Sequence, residues 1–196
     1  MFGTVLEDVR AVRRHDPAAH GWLEVILCHT PLHATLAYRL AHWLHTRAGL
    51  SLAARLLSVL ARAWTGVEIH PAARIGRAFF LDHGTGVVIG EAAVIGDHCV
   101  MYHNVTVGGT GKYLGRRHPE IGDHVFIGAH ATLLGPIRVG EHARIGANTL
   151  VINRDVPPCC TVVGAPARIV KRDGERVDED LPLMSVSPDA MPVELS

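Results

Sequence analysis

Charge of either sign is scarce in this chain, and the two signs balance. Charged residues make up 19% of the 196 residues, with 19 Lys plus Arg against 19 Asp plus Glu. Balanced charge gives no electrostatic footprint for a nucleic acid or for an anionic membrane surface. A hydrophobic fraction of 48% with so little charge is typical of a chain that hides surface in an oligomer or in a repeat fold.

The chain also lacks the usual marks of export and membrane insertion. Its four cysteines include the adjacent pair Cys159 and Cys160, which fits neither a CxxC metal site nor a secreted disulfide framework. Glu7 and Asp8 stand where a signal peptide would be basic and then apolar. The most apolar stretch, residues 50–64, contains two arginines and is too short to cross a bilayer. We therefore expect a soluble cytoplasmic protein.

Residues 1–65 have the period of amphipathic helices. Helix starts are predicted at a capping box, at two residue pairs that put proline in the first turn, and at one serine cap: Thr4 with Glu7, Asp16-Pro17, Thr30-Pro31 and Ser51. The third helix should carry one apolar face, formed by Leu32, Leu36, Leu40 and Trp43, and stop at Gly49. The fourth should end near Thr65-Gly66.

From Ile69 onward a period of six replaces the helical one. An apolar residue recurs at almost every sixth position and is often followed by glycine, which is the signature of a hexapeptide β-helix. Three hexapeptides form one triangular coil, with the apolar side chain turned inward. The predicted inward positions are Ile69, Ile75, Leu81, Val87, Ile89, Ile95, Met101, Val107, Ile121, Ile127, Leu133, Val139, Ile145, Val151, Pro157, Val163 and Ile169.

The phase of this repeat breaks twice. It shifts by two residues between Val87 and Ile89, and the segment GGTGKYLGRRHPE separates Val107 from Ile121. A segment that does not fit a coil must leave it as a loop, and such loops often carry function. The sequence predicts an α+β fold: a helical domain (1–65), a left-handed parallel β-helix with an extruded loop (66–170) and a C-terminal tail (171–196).

Polar residues near the first break suggest acid–base chemistry. Histidine titrates near neutral pH, so His83 is a candidate general base, and a carboxylate on its far ring nitrogen would orient it. Glu68 precedes His83 by close to one coil of about eighteen residues, which places both near one corner. The alternative, in which Asp82 and His83 only cap a turn, remains open.

The extruded loop and the other histidines allow further readings. Arg117 and His118 form a cationic pair that can grip a carboxylate, or they belong to a solvated basic loop. Histidines at six-residue steps (His118, His124 and His130) are predicted to stack along one edge. The spacing of His98 and His103 is seen in β-helical metal enzymes, but a metal site needs a third ligand. We therefore favour surface histidines.

Seven segments together resemble serine O-acetyltransferases of the hexapeptide-repeat acyltransferase superfamily, over about residues 4–170. They are HDPAA, LHATLAYRLAHWL, TGVEIHPAARIG, LDHGTGVVIGE, VTVGGTGK, RRHP and GAPARIV. The resemblance implies transfer of acetyl from acetyl-CoA to the hydroxyl of L-serine, without a metal, as the first step of cysteine biosynthesis. It implies a homotrimer, with pairing of two trimers left open, and feedback inhibition by L-cysteine.

The same resemblance assigns roles to residues. His83 would be the general base and Glu68 its orienting partner. The serine site would comprise Asp82, Arg117, His118 and, from the helical domain across a subunit boundary, Asp16 with Pro17. The acetyl-CoA cleft would be lined by Gly109, Thr110, Ala129 and Ala147, with Arg168 at its nucleotide end. The chain closes on Ser196, where many members end in the isoleucine that docks into O-acetylserine sulfhydrylase. We expect weak docking or none.

Two rival functions remain at this stage. A hexapeptide acetyltransferase with another hydroxyl acceptor, such as a sugar or homoserine, would share the repeat, and an acceptor screen would separate the two. A metal-dependent β-helical hydratase would use His98 and His103, and metal analysis would identify it.

Overall fold

The computed structural model describes residues 2–17, 21–185 and 190–192. Within that part, four helices come first: α1 (Phe2–His15), α2 (Trp22–Cys28), α3 (Thr30–Thr46) and α4 (Ser51–Thr65). Gly66 ends α4 in the left-handed conformation, with a φ of 73°, as the sequence predicts. None of the helices described is both long and apolar enough to cross a membrane.

Two predicted helix starts are wrong. Helix α1 begins at Phe2, so Thr4 lies inside it and forms no capping box. The Glu7 carboxylate instead accepts hydrogen bonds from two arginines one and two turns later. Helix α2 begins only at Trp22, and Pro17 lies in a turn. Glu7 thus pairs within its own helix, while Asp16 lies 4.0 Å from Nε2 of His29, and these contacts outweigh the local capping signal.

Helix α3 begins one residue before the predicted cap and buries only half of its predicted apolar face. His29 is its N-cap, and Nδ1 of His29 accepts a hydrogen bond from the Leu32 amide at 3.1 Å. The helix ends at Thr46, before Gly49. Leu32 is buried and Leu36 packs beside it, as predicted, but Leu40 and Trp43 are 46% and 42% exposed. Tyr38 and Arg39 complete the buried side.

A buried ion pair fastens the helices to the β-helix. Nε of Arg39 lies 2.9 Å from Oδ2 of Asp8, whose side chain is fully buried. Arg39 also donates to the Ile75 carbonyl, and Asp8 accepts from the Phe79 amide at 3.1 Å. Burial raises the pKa of Asp8, while the Arg39 guanidinium opposes that shift. Removing one partner of such a pair typically costs about 3–5 kcal/mol, so this contact sets the position of α1 and α3.

Short strands follow the helices in chain order. They are β1 (Glu68–Ile69), β2 (Arg74–Ile75), β3 (Phe80–Asp82), β4 (Val88–Ile89), β5 (Val94–Ile95), β6 (Val100–Tyr102), β7 (Thr106–Gly108), β8 (Tyr113–Gly115), β9 (Glu120–Ile121), β10 (Phe126–Ile127), β11 (Thr132–Leu134), β12 (Arg138–Val139), β13 (Arg144–Ile145), β14 (Leu150–Ile152), β15 (Cys160–Val163), β16 (Arg168–Arg172), β17 (Glu175–Asp180) and β18 (Ala190–Pro192).

The strands form the three walls of a left-handed parallel β-helix. The first sheet has the order β1-β4-β7-β11-β14, the second β2-β5-β9-β12, and the third β3-β6-β10-β13-β15-β16-β17. Successive coils are in register, so that Ile89 pairs with Ile69 and Val107 with Ile89. Residues predicted to point inward are buried along most of this length, which confirms the six-residue period.

The last coil departs from the predicted phase. Val156 and Val162 are buried, while Val163 is 39% exposed, so the inward positions are one residue earlier than Pro157 and Val163. The reason lies in strand pairing. Val162 pairs with Ile145, and the Val156 amide donates to the Arg138 carbonyl, a bond that Pro157 has no amide to make.

The histidines stack by coil and not by six-residue step. The rings of His98, His124 and His142 lie parallel, with centroids 4.9 and 4.8 Å apart. His130 packs against His103 instead, at 5.2 Å. The predicted stack of His118, His124 and His130 is therefore wrong, because a six-residue step moves to the next side of the triangle.

Two antiparallel additions complete the fold. β16 and β17 extend the third sheet as a hairpin. The predicted boundary between β-helix and tail, after residue 170, falls inside β16. β18, from the tail, pairs with β8 of the extruded loop, so that Met191 lies opposite Leu114. The tail therefore contacts the loop that carries Arg117 and His118.

Candidate active site

His83 lies on a widened corner between the third and first sheets. The extra residues of the first phase break, His83 and Gly84, both have left-handed backbones, with φ of 59° and 60°. Val87 and Ile89 are both buried, as are Val105 and Val107 on the next coil, so the insertion does not change the inward positions of the wall. The His83 side chain is 78% exposed, and its Nε2 lies 3.7 Å from Oδ1 of Asp82. We call the turns that hold His83, Asn104, His130 and Asn148 the His83 corner.

Glu68 lies near this corner but does not contact His83. Its strand β1 stacks on β4, and the Glu68 amide donates to the Val87 carbonyl. The Glu68 carboxylate lies 2.6 Å from Nη1 of Arg62, at the end of α4. Both Glu68 and His83 are among the described residues, and no hydrogen bond or ion pair joins them. The structure thus brings the two to the same corner without forming the predicted dyad.

Asp82 is surrounded by side chains from three segments. On the adjacent coil it pairs with Tyr102, whose pKa is raised by partial burial and by its hydrogen bond to Asp82. On the other side lies His29, with Asp16 beyond it: Nε2 of His29 is 4.0 Å from Oδ2 of Asp16. Within one chain, Asp16 and Asp82 both lie near enough to His29 to raise its pKa against the effect of burial.

Arg117 and His118 lie on a different corner, between the first and second sheets. Nη2 of Arg117 is 2.6 Å from Oε2 of Glu91. The His118 ring is buried, and its Nδ1 accepts from the Ala92 amide at 3.3 Å. Burial lowers the pKa of His118, and the neighbouring Arg117 lowers it further. An added Cβ at Gly90 would collide with the His118 ring, so glycine there makes room for it. We call this region the loop corner.

The predicted acetyl-CoA residues divide between the same two corners. Ala129 and Ala147 stack on successive coils of the His83 corner, where the Asn148 amide donates to the Ala129 carbonyl. Gly109 and Thr110 begin the extruded loop, and Oγ1 of Thr110 is buried without a hydrogen-bond partner among the described residues. Small side chains and an unpaired hydroxyl suit an extended ligand with amide groups.

The Arg168 guanidinium forms ion pairs with two carboxylates of β17. It lies 2.7 Å from Oδ1 of Asp178 and 2.5 Å from Oδ1 of Asp180. Hydrogen bonding to Asp178 raises the pKa of Arg168. The structure therefore neutralises this side chain and does not direct it to the two alanines.

No group of three or more His, Cys, Asp and Glu side chains in the described residues could hold a metal ion. His98 and His103 lie on different corners, because strand β6 separates them. Parallel stacking of His98 on His124 turns ring faces, not nitrogen lone pairs, toward each other.

The comparisons agree with this geometry. A family model described as bacterial transferase hexapeptide (six repeats) matches residues 118–153. Serine acetyltransferase from Synechococcus elongatus is 52% identical over 91% of this chain and 72% of its own length. The enzyme of that name from Mycobacterium tuberculosis is 53% identical over 87% of this chain and 73% of its own length.

The chain belongs to the serine acetyltransferase family. Among solved members, the Neisseria gonorrhoeae enzyme in complex with serine has a TM-score of 0.81 at 44% identity, covering 85% of this chain and 68% of that one. The Brucella abortus enzyme in complex with coenzyme A gives 0.83 at 42%, covering 90% and 69%. A serine acetyltransferase in complex with cysteine gives 0.82 at 42%, covering 86% and 69%.

Family membership makes the unassigned neighbours of the site informative. Four residues without a predicted role lie next to predicted site residues: His29 beside Asp16, Tyr102 beside Asp82, His103 beside His83 and Arg62 beside Glu68. His103 packs edge-on against His83, with ring centroids 6.1 Å apart. Only the length of a coil could have indicated His103 and Tyr102, since each lies one coil after its partner. For His29 and Arg62 the helical sequence contains no such signal.

Proposed function

We propose that this chain transfers the acetyl group of acetyl-CoA to the hydroxyl of L-serine, giving O-acetylserine and CoA, as the first step of cysteine biosynthesis. The observation that carries the proposal is the Asp82-His83 pair on a corner opened by inserted residues, in a chain of this family. The four cysteines are free, as is usual for the reducing cytoplasm, where we place the reaction.

His83 acts as the general base. It takes the proton of the serine hydroxyl as the hydroxyl oxygen attacks the thioester carbonyl, and the tetrahedral intermediate then expels the CoA thiolate. The proton on His83 passes to that thiolate, so the base is restored. The exposure of the ring leaves it accessible to both substrates. Glu68 orients His83 once its carboxylate exchanges Arg62 for the ring, which requires only side-chain motion near one corner.

Serine is held at both ends. Asp82 and Asp16, with Pro17 fixing the turn beside it, provide negative charge for the ammonium group. Arg117 and His118 bind the carboxylate, with the guanidinium gripping two oxygens. The Ala92 amide holds His118 in place, and Arg117 exchanges Glu91 for the substrate carboxylate. L-cysteine carries the same ammonium and carboxylate, so it competes with serine and acts as a feedback inhibitor.

Acetyl-CoA lies between neighbouring chains, with Ala129 and Ala147 from the His83 corner of one chain and Gly109 and Thr110 from the loop corner of the next. The unpaired Thr110 hydroxyl is a donor or acceptor for an amide of the pantetheine arm. Arg168 reaches a phosphate of the nucleotide end only if it exchanges Asp178 and Asp180 for that phosphate. When bound, acetyl-CoA supplies the activated acetyl thioester, and the chain supplies position and proton transfer.

The active unit is a homotrimer. The His83 corner and the loop corner belong to different edges of the triangular prism, so one chain alone holds two halves of the site. A closed three-fold ring brings the His83 corner of one chain to the loop corner of the next. Helix α4 also exposes an apolar stripe, with Leu52, Leu56, Leu60 and Trp64 between 57% and 75% exposed, which is available for contacts between chains or between trimers.

Docking onto O-acetylserine sulfhydrylase is weak or absent. Residues 193–196 lie outside the described residues, but β18 just before them already pairs with β8. Docking through a segment that includes β18 would have to release this strand. A calorimetric titration that gives nanomolar affinity for the sulfhydrylase would contradict this part of the proposal.

Thiol release tests the reaction directly. Purified chain with acetyl-CoA should release CoA thiol rapidly with L-serine and only slowly without an acceptor. Homoserine and simple sugars serve as matched acceptors, since they share the hydroxyl. Equal or faster release with either of them would favour the rival acceptors over serine.

A further inference from the structure

One largely buried histidine lies near both carboxylates of the proposed ammonium site. His29 is at the start of α3, and its side chain is only 14% exposed. Its ring packs on Phe80, with centroids 6.0 Å apart, and Phe80 belongs to the same strand as Asp82. Asp16 and Asp82 both lie near enough to the ring for their carboxylates to oppose the burial that lowers the pKa of His29.

The contacts of His29 decide which nitrogen carries the proton. Nδ1 accepts a hydrogen bond from the Leu32 amide at 3.1 Å, so it is unprotonated in the neutral ring. The proton is then on Nε2, the atom that lies 4.0 Å from Oδ2 of Asp16. One intervening water, or a side-chain movement of about 1 Å, turns that separation into a hydrogen bond.

We infer that His29 is a positioning residue for the substrate ammonium group, which holds the Asp16 carboxylate in place through its Nε2–H while its Nδ1 caps α3. This inference rests on the proposed function, since it assigns a supporting residue to the same site. A neutral donor at Oδ2 adds to the contacts that Asp16 already makes and leaves its negative charge to attract the ammonium ion. It also orders Asp16 without adding a positive charge that would repel the substrate.

The two roles of His29 are separable by two substitutions. In His29→Asn, the side-chain oxygen can still accept a hydrogen bond from the Leu32 amide, as Nδ1 does. The shorter side chain cannot donate a hydrogen bond to Asp16. The longer amide of His29→Gln places a donor near the position of Nε2 and loses the cap. His33→Asn is the matched control, because Nε2 of His33 contacts the Ile26 carbonyl, 2.7 Å away, and no carboxylate.

The experiment measures kcat, the KM for L-serine, the KM for acetyl-CoA and the thermal midpoint of each variant. His29→Asn should raise the KM for serine about 3- to 10-fold, the scale of one net hydrogen bond, with kcat and the KM for acetyl-CoA unchanged. His29→Gln should keep the serine KM near that of wild type but lower the melting temperature. His33→Asn should leave the serine KM unchanged.

A double-mutant cycle tests whether the effect passes through Asp16. In an Asp16→Asn background, His29→Asn should add no further increase in the serine KM. An additive increase, an unchanged KM in His29→Asn, or a raised KM in His29→Gln alone would overturn the inference. Wild-type protein that does not turn over L-serine would instead overturn the proposed function and, with it, the inference.

Discussion

Two corners of the β-helix carry histidines and use them differently. At the corner between the second and third sheets, His98, His124 and His142 all have left-handed backbones, with φ of 57–59°, and stack face to face in a regular ladder. At the His83 corner, His83, His103 and His130 meet edge to face at 6.1 and 5.2 Å. His83 and His130 are left-handed there, but His103 precedes that turn position, since the His130 amide donates to its carbonyl. The ladder therefore depends on a histidine at the same turn position of each coil, a repeat that the His83 corner lacks.

This difference separates a structural histidine from a chemical one. A ring between two parallel rings is held on both faces, so it is poorly placed to turn toward a substrate. His83 is held on one side only and remains exposed. The insertion at Gly84, and not the residue type, therefore marks the corner that is available for catalysis.

The largest expected effect comes from a matched pair of alanine variants, one at each corner. His83→Ala should lower kcat roughly 100-fold or more, the usual scale for a general base. His124→Ala removes a ring from the ladder and should leave kcat within about twofold. Both are measured by thiol release after circular dichroism has shown native folding. Near-wild-type turnover in His83→Ala would rule out the mechanism.

A second test compares the His83 corner with the loop corner. His83→Ala and Arg117→Ala should each be nearly inactive, yet co-expression of the two should restore activity. Random mixing leaves about one quarter of the interfaces with both corners intact. His83→Ala mixed with Asp82→Ala is the control, because both changes damage the same corner and no interface recovers. Absence of recovery in the first mixture, or a monomer by light scattering, would contradict the shared site.

A smaller loss is expected when the orienting carboxylate becomes an amide. Glu68→Gln keeps the shape of the side chain but removes its charge, so kcat should fall clearly and by less than in His83→Ala. Steady-state thiol release gives the comparison. Arg62→Gln is informative beside it, because it frees Glu68 to reach His83. A kcat in Glu68→Gln equal to that of wild type would leave Asp82 as the carboxylate that acts on His83.

Four histidines with lowered pKa values should make stability depend on pH. Burial is the main cause that lowers the pKa of His15, His29, His70 and His118 from 6.5. Below pH 6.5 the unfolded chain therefore binds more protons than the folded chain, and the free energy of unfolding falls as pH falls. Urea unfolding at pH 7.5 and 5.5 should show this loss, and His70→Gln should reduce it. Higher stability at pH 5.5 would contradict the burial.

The smallest effects concern the ladder itself. Asparagine occupies the left-handed position elsewhere, as Asn104 and Asn148 show, so His124→Asn should change stability by less than about 1 kcal/mol. His124→Val puts a β-branched residue there and should destabilise by about 1–2 kcal/mol. Chemical denaturation distinguishes the two. Equal stability of both variants would mean that the corner relaxes from its left-handed conformation.

The sequence predicted the walls of the β-helix better than its ends. An inward residue such as Ile127 has one role, and neighbouring coils repeat it, so periodicity alone locates it. At Pro157 and Val163 the six-residue period continues in the sequence, but the buried residues lie one position earlier, at Val156 and Val162. Only the pairing of Val162 with Ile145 reveals this shift. Helix starts failed for a related reason: Thr4 matches a local cap, but packing of α1 on the β-helix sets where that helix begins.

The candidate site was predictable where it follows motifs and coil length. His83, Asp82 and Arg117 stand in segments that resemble the family, and the structure locates them on two corners. The engagement of Glu68 by Arg62 was not predictable, because α4 meets β1 through a turn whose geometry the sequence does not specify. The approach of His29 to Asp16 depends on how α3 packs against β3, and no spacing rule relates those two residues.

The hairpin of β16 and β17 bears on how the protein behaves at high concentration. A parallel β-helix has no intrinsic end, and an uncovered last coil would offer unpaired backbone groups to another molecule, the route to filament growth. Here the outermost strand is β17, with the sequence ERVDED, and ion pairs from Arg168 and Arg172 fasten it to β16. This charged strand ends the third sheet, whereas the first and second sheets end at β14 and β12. Its charge disfavours pairing with the strand edge of another molecule along that wall.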